Sequence, residues 1–150
     1  MNSILTNFEV INPKAKKTAL ILHGWAQSSL LWLETVKLLN SDFCYYLLDL
    51  PGFGGTKNLA ESSDVPEYTE FVKEFAEKLK LKGFILMGHS FGGQIAGDLA
   101  IKYPELISRL VLIDAAIVRV RRPKTIIKIA LAKIVKPLVS FFPTTVMNSL

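Results

Sequence analysis

Short apolar runs alternate with helix-patterned segments along this chain, and that alternation leaves few folds open. Thr18–His23 (TALILH), Phe43–Leu48 (FCYYLL), Phe84–Met87 (FILM) and Arg109–Asp114 (RLVLID) are brief and apolar, so they read as buried strands. Three helical patterns lie between them. Ser29–Asn40 places Leu30, Leu33, Val36 and Leu39 three apart, with Leu38 beside them. Asp64 and Glu67 then stand at capping-box spacing, with Pro66 in the first turn. Tyr68, Phe71, Val72, Phe75, Ala76 and Leu79 follow as one apolar stripe, which Gly83 stops. The third helix, Phe91–Tyr103, ends before Pro104. From residue 18 the order is β-α-β-α-β-α-β. It calls for an α/β fold, a mostly parallel sheet with helices on both faces. Asp49–Thr56 (DLPGFGGT), with three glycines and a proline, reads as a loop continuing to Ser63.

The length of 150 residues suits one domain. Half of the residues are hydrophobic, which excludes a disordered chain. One cysteine and two histidines exclude a disulfide framework and a multi-cysteine zinc site. The net charge of +5 is uneven. Residues 1–114 hold eleven Lys and Arg and all thirteen acids, whereas 115–150 hold seven cations and no acid. That basic tail interleaves its cations with Ile, Leu and Val, which suits an amphipathic helix better than a nucleic-acid-reading surface. Pro123 opens such a helix, with Ile126, Ile127, Ala130, Leu131 and Ile134 on one stripe before Pro137.

The chemistry-bearing segment is Gly88-His89-Ser90-Phe91-Gly92, a G-x-S-x-G between an apolar strand and a helix. A strand that turns straight into a helix holds its middle residue strained, with the side chain exposed. The residues two before and two after crowd each other there, so only glycine fits. Ser90 then sits near the positive end of the following helix, where an oxyanion is favoured. Gly93, Ala96 and Gly97 let that helix pack close to the sheet.

His23-Gly24-Trp25, Asp49-Leu50-Pro51-Gly52-Phe53-Gly54 and Gly88-His89-Ser90-Phe91-Gly92-Gly93, in this order, resemble the α/β-hydrolase superfamily in its serine esterase and carbon–carbon hydrolase branch. The resemblance covers about residues 8–115. It implies acyl transfer: Ser90 as nucleophile, the backbone N–H groups of Trp25 and Phe91 as oxyanion hole, and water releasing the acid. It implies no cofactor and no metal. Its substrate would be a small molecule with an apolar acyl group, as an ester, thioester or relative. Relatives with an Asp nucleophile are disfavoured, because Ser occupies the elbow. No P-loop or dinucleotide fingerprint is present, and Gly52–Gly55 does not open a helix.

Other candidates take structural roles. The resemblance implies that His23, before Gly24, shapes its loop and is not the base. His89 adjoins Ser90 and projects elsewhere. Asp49 bonds loop amides. Cys44, in an apolar strand, is an inert core residue. Asp114 stands at the carboxyl end of its strand, where catalytic groups gather in open α/β sheets, and is a weak candidate for the triad acid. The family order is Ser, acid, His, yet no histidine follows Ser90. The chain therefore reads as residues 1–115 of a hydrolase core plus the start of a basic helical cap over 116–150. In this reading it is an N-terminal portion, lacking the last strands and the triad base. Two rivals are a catalytically dead binding module and an accessory protein attached to anionic membrane by its basic tail. The Arg109–Asp114 strand is expected to expose an edge open to pairing with another chain. No apolar run approaches the ~20 residues that span a bilayer, and the start MNSILTNFEV lacks signal-peptide features, so a cytoplasmic location is the default.

Overall fold

The computed structural model describes residues 5–39, 42–59 and 64–115. The cap segment 116–150 and its expected helix lie outside the described residues. Five strands form one sheet in the order β1-β3-β2-β4-β5: β1 Phe8–Ile11, β2 Lys17–Leu22, β3 Phe43–Leu48, β4 Phe84–His89 and β5 Ile107–Ile113. The last four run parallel, as the apolar runs require. β1 was not foreseen. It is four residues long, pairs antiparallel with β3, and sets Phe8 beside Leu48.

Helices cover both faces. α2 (Val65–Lys78) and α3 (Phe91–Lys102) bury Leu20, Leu22, Leu48, Phe84 and Leu86 of the sheet against Phe71, Val72, Phe75, Ile95 and Leu99. The opposite face carries Ala19, Ile21, Tyr45 and Leu47, covered by Val36 of α1 (Leu33–Lys37) with Trp32 and Leu33. Residues alternate between the two layers along β2 because successive strand side chains point to opposite faces. Cys44 is buried in β3, as its apolar surroundings suggest.

Two expectations about the helices need correction. Ser29–Asn40 is not one helix but a tight helical turn, Ser29–Trp32, followed by the five-residue α1. Only Val36 of its expected stripe is buried, and Leu30, Leu38 and Leu39 are exposed. α2 ends at Lys78, before Gly83; the reversal is made by Lys80 at φ +56°, and Gly83 (φ +59°) leads into β4. Its start is as read: the Asp64 carboxylate accepts from Glu67 N–H at 3.4 Å, and Glu67 accepts from Asp64 N–H at 2.9 Å. Asp64→Ala removes the cap and is expected to lower stability by about 1 kcal/mol in urea unfolding. An unchanged midpoint would show the cap to be idle.

Candidate active site

β4 ends at His89 and α3 begins at Phe91, so Ser90 alone makes the turn. Its backbone sits at φ +50°, ψ −110°, which costs a side-chain-bearing residue on the order of 1–3 kcal/mol. The turn is pinned on both sides: Ser90 N–H donates to Ile113 O of β5 at 3.0 Å, and Ser90 O accepts from Gly93 N–H at 3.1 Å. The glycines answer steric demands, though not quite the expected ones. A Cβ on Gly88 would lie 2.5 Å from Gly92 O and 2.7 Å from Gly93 Cα. A Cβ on Gly92 would instead meet β2 and its exit, 2.6 Å from Leu22 O and 2.5 Å from His23 O. The elbow is thus pressed onto the neighbouring strand as well as onto itself.

The second half of the site is the turn after β2. Gln27 N–H donates to Gly24 O at 3.3 Å across a turn in which Ala26 adopts φ +56°. His23 is fully buried and fixes this turn. Its Nε2 accepts from Leu50 N–H at 3.0 Å, so Nδ1 carries the ring proton and donates to Gly24 O at 2.8 Å. The Gly24 carbonyl and the Trp25 N–H share one trans peptide plane and point in opposite directions. Pinning the carbonyl with two donors therefore sets the direction of the Trp25 N–H. Burial lowers the His23 pKa, although the hydrogen bond to Gly24 and the nearby Asp49 charge oppose this. His23 is a neutral structural element with both ring nitrogens engaged.

Asp49 supports the loops beneath the site, as read from sequence. It is buried, and its Oδ1 accepts from Ser29 N–H at 2.6 Å. Its Oδ2 accepts from Gly55 N–H and from the Asn7 side-chain amide, each at 2.8 Å. Burial alone would raise its pKa, but these hydrogen bonds outweigh it and hold the carboxyl below the ordinary range. Gly54 (φ +54°) lies so close over this carboxylate that no side chain fits there. The loop it shapes carries Phe53, whose ring packs edge-on to Trp25 at 5.0 Å and to His23 at 5.7 Å.

Trp25 and Phe91 are brought together, with ring centroids 5.3 Å apart, and Tyr68 packs on Phe91 at 5.1 Å. Among the described residues neither Trp25 N–H nor Phe91 N–H donates to a protein acceptor. His89 turns toward Gln27, 3.2 Å from its Oε1. Asp114 is exposed just after β5 at φ +46°, and among the described residues no hydrogen bond joins it to either histidine. The sequence reading does not single out Gln27, and it places Phe53 only in a loop motif and Tyr68 only on a helix stripe, not at the site. A cavity of about 440 Å³ lies at the far, amino ends of the strands, lined by Lys16, Lys17, Lys82 and Arg109 among others, and has no part in this site.

A mostly parallel sheet bearing a strained serine between strand and helix is the arrangement of a hydrolase-type α/β protein. The chain belongs to the alpha/beta hydrolase fold family, whose model matches residues 18–146. It is 36% identical over 107 residues to human monoacylglycerol lipase ABHD6, covering 69% of this chain and 32% of that protein. It is 33% identical over 117 residues to the rat 1-acylglycerol-3-phosphate O-acyltransferase ABHD5, covering 75% and 33%. Among solved structures, Cfl2 from Burkholderia cenocepacia superposes with a TM-score of 0.73 at 27% identity, over 77% of this chain and 40% of that one. A marine microorganism esterase gives 0.75 at 25% identity, over 95% and 53%. The chain thus spans about a third of the length of these two relatives. Among the described residues no helix is long and apolar enough to cross a membrane.

Proposed function

We propose that this chain carries the nucleophile and oxyanion hole of a serine hydrolase that cleaves apolar acyl esters or thioesters. The observation that carries the reading is Ser90 held at φ +50° between β4 and α3, next to Phe91 on which Trp25 packs, two residues whose N–H groups have no protein acceptor among the described residues. Ser90 Oγ attacks the substrate carbonyl carbon and gives up its proton to a base. The carbonyl oxygen becomes an oxyanion held by Trp25 N–H and Phe91 N–H. Collapse breaks the bond to the alcohol or thiol, which leaves with a proton. Water then attacks the acyl-serine and releases the acid. Trp25, Phe53, Phe91 and Tyr68 offer aromatic walls for the acyl part, in keeping with relatives named for acylglycerol chemistry and with esterase neighbours.

The base comes from outside this constellation. His23 spends both ring nitrogens on backbone groups, and His89 engages Gln27. A general base must lie within about 2.6–3.2 Å of the serine hydroxyl, or one water away. The core over 1–115 therefore works with a triad acid and histidine from further sequence or from another chain, and the segment 116–150 serves as the start of a cap. β5 is an edge of the described sheet, with Ser108, Arg109 and Leu112 exposed, and offers the place where further strands pair.

The test is p-nitrophenyl butyrate with the purified chain, with and without imidazole as a diffusible base. Butyryl mass is expected on the peptide containing Ser90, slowly without imidazole and at least about tenfold faster with it. Ser90→Ala is expected to remove that label. A label that persists in Ser90→Ala sinks the nucleophile assignment, and a folded protein that never acylates points to a binding module. Rapid turnover without imidazole would reveal a base within the chain, with His89, whose hydrogen bond to Gln27 uses only Nδ1, the first to test.

A further inference from the structure

β2 and β4 lie side by side, and their ladder ends at Leu22 opposite Gly88. Trp25 and Phe91, the two oxyanion donors of the proposed reaction, lie beyond that end on separate segments. To grip one oxygen they must keep a fixed separation, since such donors act at about 2.7–3.1 Å. Among the described residues, the hydrogen-bonded link between the two segments past the ladder runs through one side chain, Gln27.

Gln27 Oε1 accepts from Gly24 N–H at 2.9 Å. A backbone N–H can only donate, so the atom facing it is the carboxamide oxygen, which fixes the amide orientation. The same oxygen lies 3.2 Å from His89 Nδ1. An oxygen that only accepts requires the His89 proton on Nδ1. Gly24 stands at the crossing of these groups: a Cβ there would lie 2.8 Å from Gln27 Oε1 and 3.0 Å from His89 Nδ1. Its φ is not in the left-handed region, so the side chains around it, rather than its backbone, call for glycine.

We propose that Gln27 is a positioning residue that ties the turn after β2 to the serine elbow, its carboxamide oxygen binding Gly24 N–H and His89 Nδ1–H together. This rests on the acyl-transfer reading for its purpose, but its geometry can be tested alone. His89, inside the G-x-S-x-G, thereby acts on the oxyanion hole through Gln27 without touching the substrate.

The experiment uses the isotope-labelled 150-residue chain. Imidazole nitrogen spectra are expected to show His89 protonated on Nδ1. In Gln27→Leu its proton should shift toward Nε2, while His23 stays protonated on Nδ1 as an internal control. Exchange of the Gly24 amide should quicken at least about tenfold. Gln27→Glu keeps the acceptor oxygen and should preserve both signals. Gly24→Ala should mimic Gln27→Leu, and the double variant should add little, as for two changes that break one contact. Imidazole-assisted acylation of Ser90 should fall about tenfold in Gln27→Leu, less than the 10²–10³ for deleting a donor, and recover in Gln27→Glu. Finding the His89 proton on Nε2 in the unaltered chain overturns the proposal. So does a Gln27→Leu variant that leaves spectra and exchange unchanged, or one that alters both yet acylates at full rate. Should Ser90→Ala acylate normally, the hydrolase reading fails, and the tautomer and exchange data still decide the tie.

Discussion

Replacing Gly92 by Ala is expected to cost at least about 3 kcal/mol, toward the top of the range for overpacking. The single added carbon would sit 2.5 Å from His23 O and 2.6 Å from Leu22 O. Both are backbone atoms at the end of a central strand, so relief requires moving β2 or α3. β2 is held by β3 on one side and β4 on the other, and α3 packs Ile95, Ala96 and Leu99 into the core. Close-packed interiors give little room for such a shift. Against a total stability of about 5–15 kcal/mol, that loss raises the unfolded fraction on the order of a hundredfold. Gly83→Ala is the control. Gly83 has a positive φ, but a Cβ there meets nothing within 4 Å, so its cost is limited to about 1 kcal/mol of backbone strain. Urea unfolding of the two variants checks the ranking. Equal midpoints would mean that α3 can slide away from β2, and the steric account of the elbow would fail.

The same steric account explains why the elbow was legible in the sequence. Close contacts at Gly88, Gly92 and Gly93 forbid side chains at fixed spacings, so the geometry appears directly as glycines around Ser90. α2 was legible for a related reason, because its cap is a local exchange between Asp64 and Glu67 and its stripe has the helical period. The segment 29–39 misled because a spacing of three is shared by tight turns and longer helices. There Asp49, twenty residues away, holds Ser29 N–H and fixes where the turn begins. β1 is too short to show a period, and its place depends on pairing with β3 and on Asn7 reaching Asp49 and Thr56. Gln27 carried no local signal. Its role appears only when β2 and β4 lie together and bring His89 within reach of it.

Asp49→Ala is expected to be the other severe change, with a loss of at least about 3 kcal/mol and the disappearance of one step from the acid profile. Three donors lose their acceptor at once: Ser29 N–H, Gly55 N–H and the Asn7 amide. Ser29 N–H is buried, and leaving it unsatisfied costs about 1–3 kcal/mol, while Gly55 and Asn7 are exposed residues that lose hydrogen bonds to a charged acceptor. The loop bearing Phe53 should loosen too, and with it the aromatic contact to Trp25. The pH dependence has a definite sign. Asp49 has a lowered pKa in the fold, so its contribution is present above the unfolded value of about 3.9 and is lost as pH falls through the folded one. His23 also has a lowered pKa, because burial favours its neutral form. Its contribution is full above about 6.5, where the unfolded histidine is neutral as well. It declines as pH falls below that value, since the unfolded state then binds a proton that the folded state refuses. The unaltered protein should therefore lose stability in two acid steps, one beginning near pH 6.5 and one below about pH 4. Asp49→Ala should keep the first and lose the second. Removing the Asp49 charge also takes away one influence that raises the His23 pKa, so the first step should deepen. Urea midpoints at pH 7.5, 5 and 3 measure this; a variant as stable as its parent, or one that keeps the lower step, would remove Asp49 as the support of the site.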